Sequence, residues 1–243
     1  MLIEDSRLRQ LSRILLALML AAALALPSAG ASELIPHRAE YKVRISVVSG
    51  QLNTELKATD TGYSATHVIK PTGLSRMITR GTMKVTSTFT ADADGVKAVT
   101  YHAMDTIGDD PETHIAFDWN TNEASGTVGD EDVLLQLDGV AHDSVSIQYA
   151  LMHDLLNGGP DSTYVLFDVD KMRVADVRNV GMKQVKTKAG QYDVVGIQHQ
   201  KQGSSRVTTL WCAPELGYLP VIIEQHRKGK LNFRATLTEY TPL

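Results

Sequence analysis

The chain has 243 residues, 43% of them hydrophobic and 21% charged, with a formal charge of −4 and a single cysteine. This is ordinary globular composition, neither disordered nor collagen-like. One cysteine excludes an internal disulfide, a four-cysteine zinc site and an iron–sulfur cluster, and the acidic balance gives no basis for a nucleic-acid partner.

Residues 1–31 read as an export signal. Arg7, Arg9 and Arg13 precede an apolar run from Ile14 to Leu26, and Ala29-Gly30-Ala31 supplies the small-x-small pattern of a cleavage site. Thirteen apolar residues fall short of the roughly twenty that span a bilayer as a helix; an uncleaved anchor is the alternative. No cysteine stands near the cleavage point to carry a lipid, and no Arg-Arg pair points to a twin-arginine route. Cleavage leaves 32–243, 212 residues with a formal charge of −5. The expected location is the periplasm of a Gram-negative bacterium, free of the membrane except for peripheral contact.

The rest reads as strands. Tyr41, Val43, Ile45 and Val47 alternate with Lys42, Arg44 and Ser46 up to a turn at Ser49-Gly50. Leu52 to Ala58 and Tyr63 to Ile69 flank Asp60-Thr61-Gly62, and Met83 to Thr90 and Val96 to Met104 flank Ala91-Asp92-Ala93-Asp94-Gly95, a strong hairpin signal. Ile115, Phe117 and Trp119 share a strand face, followed by Glu123 to Val128 and the alternation of Val133, Leu135 and Leu137. One helix is expected at about 143–157, capped by Asp143 or Ser144 and stopped by Gly158-Gly159-Pro160. Val145, Tyr149, Met152 and Leu156 form one stripe and Ile147, Leu151 and Leu155 a second, so most of its circumference is apolar and it belongs against a curved sheet. Strands resume at Tyr164 to Val169, Met172 to Val180, Lys183 to Thr187, Tyr192 to Gln200, Val207 to Cys212, Leu219 to His226 and Leu231 to Tyr240. The fold class is mainly β: a long antiparallel meander, one domain, forming a curved sheet or incomplete barrel packed on one central helix.

No chemistry-bearing constellation stands out. His142-Asp143-Ser144 holds the residue types of a hydrolase triad, but consecutive residues cannot face one another in triad geometry. Cys212 has no histidine at a recognisable spacing and reads as a packing residue. His102 and His114 lie on two strands joined across Thr106 to Pro111 and can meet over a metal with Asp118 or Glu112 only in one register, since a one-residue slip sends them to opposite faces. Two surface histidines are the default, and no catalytic residue, metal or cofactor is expected. Arg227, Lys228 and Lys230 lie in or beside a turn, as do Lys183, Lys186 and Lys188; solvated hairpin ends account for them, with contact to anionic headgroups as the alternative.

The stretch Thr209-Leu210-Trp211-Cys212-Ala213-Pro214-Glu215-Leu216-Gly217-Tyr218-Leu219-Pro220-Val221-Ile222-Ile223-Glu224 resembles the C-terminal signature of the domain-of-unknown-function 3108 family, exported proteins of Gram-negative bacteria. Ala39-Glu40-Tyr41, Phe117-Asp118-Trp119, the helix start at Asp143-Ser144-Val145-Ser146 and the Thr187-Lys188-Ala189-Gly190-Gln191-Tyr192-Asp193 turn fit the pattern in the same order. Ser144-Val145 departs from it, where a large apolar pair or Arg-Leu is more usual. The resemblance implies fold and compartment and carries no chemistry. The general shape is similar to that of periplasmic lipoprotein carriers, an incomplete barrel closed by helix around an acyl chain. The functional expectation is therefore a non-enzymatic binding or carrier protein for an apolar or lipid-like ligand, a lipid or lipoprotein. Phe117, Trp119, Tyr149, Met152, Leu156, Leu210 and Trp211 are the candidate lining residues. The alternative is an envelope structural or adaptor protein with a filled core and a protein partner.

Overall fold

In the computed structural model, which describes residues 33–108, 110–168 and 171–243, alternation sets the strands. In β1 (His37–Ile45), Ala39, Tyr41 and Val43 are buried while Arg38, Lys42 and Arg44 are exposed, the period of two that a half-buried strand requires. Next come β2 (Val48–Thr59), β3 (Gly62–Pro71), a one-turn helix α1 (Ser75–Ile78), β4 (Met83–Asp92), β5 (Gly95–Asp105), β6 (Asp110–Asp118), β7 (Glu123–Val128) and β8 (Glu131–Gln136). A two-residue strand β9 (Ala141–His142) leads into helix α2 (Ser146–Leu156). Strands β10 (Thr163–Asp168), β11 (Lys171–Lys186), β12 (Gln191–Lys201), β13 (Arg206–Ala213), β14 (Leu219–Arg227) and β15 (Lys230–Pro242) follow. The stretch read as an export signal lies outside the described residues.

All fifteen strands form one sheet, in the order β8-β7-β6-β5-β4-β3-β2-β1-β15-β14-β13-β12-β11-β10-β9. The pairing is antiparallel throughout except for β9 with β10. The domain's first and last strands pair at the middle of the sheet, His37 opposite Pro242 and Ile45 opposite Phe233, so each half of the chain forms one wing. The sheet curls until the wings meet. β9 packs against β5, and Phe117 of β6 meets Phe167 of β10 edge to face with ring centroids 5.4 Å apart.

Helix α2 lies inside this curl against β4 and β5, which explains why Tyr149, Ala150, Leu151, Met152 and His153 are buried together. Asp143 fixes its start: Oδ1 accepts the Val145 and Ser146 N–H groups at 2.8 and 2.9 Å, and Oδ2 accepts the Ser87 hydroxyl at 2.6 Å. These bonds satisfy orphan donors of the first turn and tie the helix to β4. The space between helix and sheet is occupied. Tyr149 is fully buried and stacks on Phe89 at 5.3 Å, with Tyr41, Leu56 and Met152 also enclosed. The Met172–Val180 and Lys183–Thr187 segments are one strand, β11, carried across a bulge between Asn179 and Met182 where Gly181 adopts φ +97°.

Candidate binding rim

The antiparallel connections alternate between the two ends of the sheet. One end carries the β1–β2, β3–β4, β5–β6, β7–β8, β12–β13 and β14–β15 turns. Backbone bonds stitch several of these turns into a continuous rim. The Thr72 N–H donates to Ser49 O at 2.9 Å, the Ser49 N–H to Ser75 Oγ at 2.8 Å, the Ser46 N–H to Asn232 O at 3.3 Å and the Lys228 N–H to Ser205 O at 3.1 Å.

At the β3–β4 connection the usual amphipathic rule is inverted. Gly73 at φ +56° allows the chain to turn, and the Ser75, Arg76 and Met77 N–H groups close it onto Thr72, Gly73 and Leu74 carbonyls. The polar Ser75 is the buried residue of α1, whereas Leu74, Met77 and Ile78 are 81%, 80% and 74% exposed. Val47, in the neighbouring β1–β2 turn, is 85% exposed. Scattered single apolar residues on a surface need no explanation, but a contiguous group marks an interaction site. The segment that forms it is one-sided in charge: from residue 61 to 91 the chain has Lys70, Arg76, Arg80 and Lys84 and no aspartate or glutamate, with Asp105 of the adjoining β5 opposite Met83.

Further along the rim, a cleft of about 480 Å³ opens at the ends of β10 to β14, lined among others by Asp168, Arg173, His199, Lys201, Arg206 and Thr208. His199 and Thr208 are opposed across β12 and β13, and Val177 and His199 across β11 and β12, so the cleft continues the face that buries Val177, Ile197 and Leu210. Asp168 Oδ2 takes Arg173 Nε at 2.8 Å and Lys201 Nζ at 3.1 Å. Burial raises the Asp168 carboxyl, but the bonds from Lys201 and Arg173 outweigh it and hold the group below its usual range. Arg173 and Lys201 share the Asp168 carboxylate and Arg206 adds a third cation to the lining, which leaves the cleft positive inside an acidic protein. Burial and the Lys201 charge hold His199 neutral, its pKa down at about 4.

The seven expected lining residues divide between two places. Tyr149, Met152 and Leu210 are buried in the main core, with Leu156 partly buried at its edge. Trp211 packs at the core margin with its indole N–H donating to Glu224 Oε2 at 3.1 Å, Lys183 Nζ 3.4 Å above its ring, and Gly196 beneath it, where a Cβ would stand 2.6 Å from the ring. Phe117 and Trp119 belong to a second cluster with Ile115, Leu137 and Phe167, where the wings meet. The apolar gap beside Val43, Ile69 and Ile107 measures only about 60 Å³.

The triad-like residues also separate. The Ser144 hydroxyl donates to Tyr101, Asp143 serves Ser87 and the helix, and His142 packs near the Tyr164 ring at 5.8 Å. Cys212 is buried, and burial pushes its thiol up to about 12. The rim's apolar group escaped sequence reading. The usable signal was a run of 31 residues without an acid, interrupted by apolar residues between Pro71-Thr72-Gly73 and Gly81 that follow no strand alternation.

A family profile described as "Protein of unknown function (DUF3108)" matches residues 38–237. No curated protein matches the chain. Among solved structures, a beta-barrel-like protein of domain of unknown function DUF1849 from Brucella abortus is similar, at 14% identity and a TM-score of 0.57, covering 87% of this chain and 99% of that one. At that identity the likeness concerns the fold alone.

Proposed function

Since the chain belongs to the DUF3108 family, which brings no assigned chemistry with it, we propose from the geometry that it is a non-enzymatic binding protein of the bacterial envelope. In this reading it meets an anionic lipid surface through its rim. The carrying observation is the exposed trio Leu74, Met77 and Ile78 on a stretch, residues 61–91, that itself carries four cations and no acid. Burying an apolar side chain of this size fully is worth about 1.5–3 kcal/mol, and a cation near an anionic leaflet about 1 kcal/mol. Neither contribution anchors a protein alone; together they give reversible peripheral attachment. The positive cleft at Arg173, Lys201 and Arg206 lies on the same rim and suits a phosphate-bearing headgroup.

This reading keeps a lipid-like ligand and moves it from the interior to the rim. A carrier of the interior type needs an open apolar space on the order of 300 Å³, and Tyr149, Phe89 and Tyr41 fill that region here. A protein partner added along the β8 edge is less favoured, because that strand is six residues long and carries Glu131 and Asp132, which discourage strand addition. Among the described residues no helix is long and apolar enough to cross a membrane. The periplasmic location rests on the sequence of residues 1–31.

The test is co-sedimentation of Ser32–Leu243, a compact unit by itself, with phosphatidylglycerol-containing and pure phosphatidylcholine vesicles. Binding to the first, weakened by salt and lost in the Leu74→Ser/Met77→Ser/Ile78→Ser variant, is expected. Equal binding by that variant, or none by the wild type, refutes the reading.

A further inference from the structure

A separate site lies on the solvent face of β5 and β6. Along β6, Thr113, Ile115 and Phe117 are buried, so Glu112, His114 and Ala116 point outward. His102 of β5 sits directly opposite His114. Their rings stack with centroids 4.0 Å apart and planes 17° from parallel. The register slips between Ala103 and Asp105, and this irregularity brings Glu112 beside the pair. Its Oε1 lies 2.7 Å from His102 Nε2 and 3.2 Å from His114 Nε2. Both strands are flanked, with Thr86 opposite His102 and Thr127 opposite His114, so the backbone that presents the three groups is held on both sides.

We propose that His102, Glu112 and His114 form a binding site for a divalent transition-metal cation, with Zn²⁺ and Cu²⁺ as the favoured ions. Two imidazoles and a carboxylate are the donor set these ions prefer. The three candidate ligand atoms lie within 4.8 Å of one another. Metal bonds of ~2.0–2.2 Å in a tetrahedral site place ligand atoms about 3.3 Å apart, close to the separations from Glu112 Oε1 already present. In the metal-free protein both Nε2–H groups donate to the carboxylate, and the His102 bond holds Glu112 below its usual range, hence ionised. On binding, each neutral ring moves its proton from Nε2 to Nδ1 by exchange with water, the freed Nε2 lone pairs take the ion, and the ion takes the place of the two hydrogen bonds. Exposure of the cluster leaves the remaining coordination positions to water or to a donor from another molecule.

Zinc is titrated into untagged wild-type protein near neutral pH in competition with a chromogenic chelator, and Cu²⁺ binding is followed in parallel by electron paramagnetic resonance. One equivalent of zinc is expected, with nitrogen hyperfine structure from two imidazoles on copper. Glu112→Gln, His102→Gln and His114→Gln should each weaken zinc by roughly 10–100-fold or more, and the double histidine variant should bind none at this site. Thermal melts without metal should differ little between the variants, since Glu112 and His114 are exposed and His102 is half-buried on the solvent face. Undiminished binding in the double variant, or no binding at millimolar zinc, overturns the proposal.

Discussion

Replacing Tyr149 by alanine tests the packing argument that moves the ligand from the interior to the rim. The ring is fully buried between α2 and the sheet, stacked on Phe89 at 5.3 Å and near His37 and His67 at 6.3 and 6.2 Å. Truncation leaves a void on the order of 100 Å³, worth about 2.4 kcal/mol at ~24 cal/mol per Å³, on top of the transfer term, so the expected loss is about 3–5 kcal/mol. For a domain of this size that lowers the melting temperature by roughly 6–20 °C. Tyr149→Phe isolates the hydroxyl, whose contact with His67 Nε2 is long at 3.5 Å, and should cost less than about 1 kcal/mol. Thermal and urea unfolding measure both, alongside uptake of a hydrophobic fluorophore. The wild type should take up none. A loss under about 1 kcal/mol for the alanine variant, with a wild type that already takes up fluorophore, would show an open interior and restore the internal-carrier reading.

Asp143→Ala removes the acceptor of two helix N–H groups and of the buried Ser87 hydroxyl, and should cost about 2–4 kcal/mol in urea unfolding; a loss below about half a kcal/mol would mean the helix start does not depend on it. Gly126→Ala places a Cβ 1.8 Å from the His114 carbonyl oxygen, which cannot yield without breaking the β6–β7 ladder. It should destabilise by at least about 2 kcal/mol, and a neutral result would contradict the register. Burial holds His67, His142 and His199 neutral in the fold, each with a pKa of about 4 against 6.5 for the free group. Their contribution to stability is full above pH 6.5 and lost as the pH falls toward 4. The melting temperature should drop steeply over that window, and a flat profile would count against buried neutral histidines.

Local chemistry made most of the strands legible. The Ala91-Asp92-Ala93-Asp94-Gly95 turn joins β4 and β5, and the glycines after Asn157 follow α2, as their residue types dictate. Long-range closure was not legible. No local pattern indicates that β1 pairs with β15, or that β9, only two residues long, reaches β5. That curl is why the candidate lining residues fall into two clusters: Phe117 follows the alternation of β6, yet the surface it meets is Phe167 of the opposite wing. The α1 turn is too short for any helical period to show, and its apolar residues break strand alternation, so only the missing acids could have drawn attention to it. For His102 and His114 the sequence supplied the candidates and left the register open, and pairing across β5 and β6 resolves it.

Depth measurement at the rim tests the central claim most directly. Cys212 is buried with its thiol pushed up to about 12, so a spin label attaches selectively to Met77→Cys, and to Asp60→Cys at the opposite end of the sheet as a control. With Ser32–Leu243 on phosphatidylglycerol vesicles, power-saturation electron paramagnetic resonance should place label 77 below the headgroups, accessible to oxygen and shielded from a water-soluble nickel relaxant, with label 60 in water. Label 77 remaining as accessible to the nickel relaxant as label 60, under conditions where the protein sediments with the vesicles, would contradict docking through the rim.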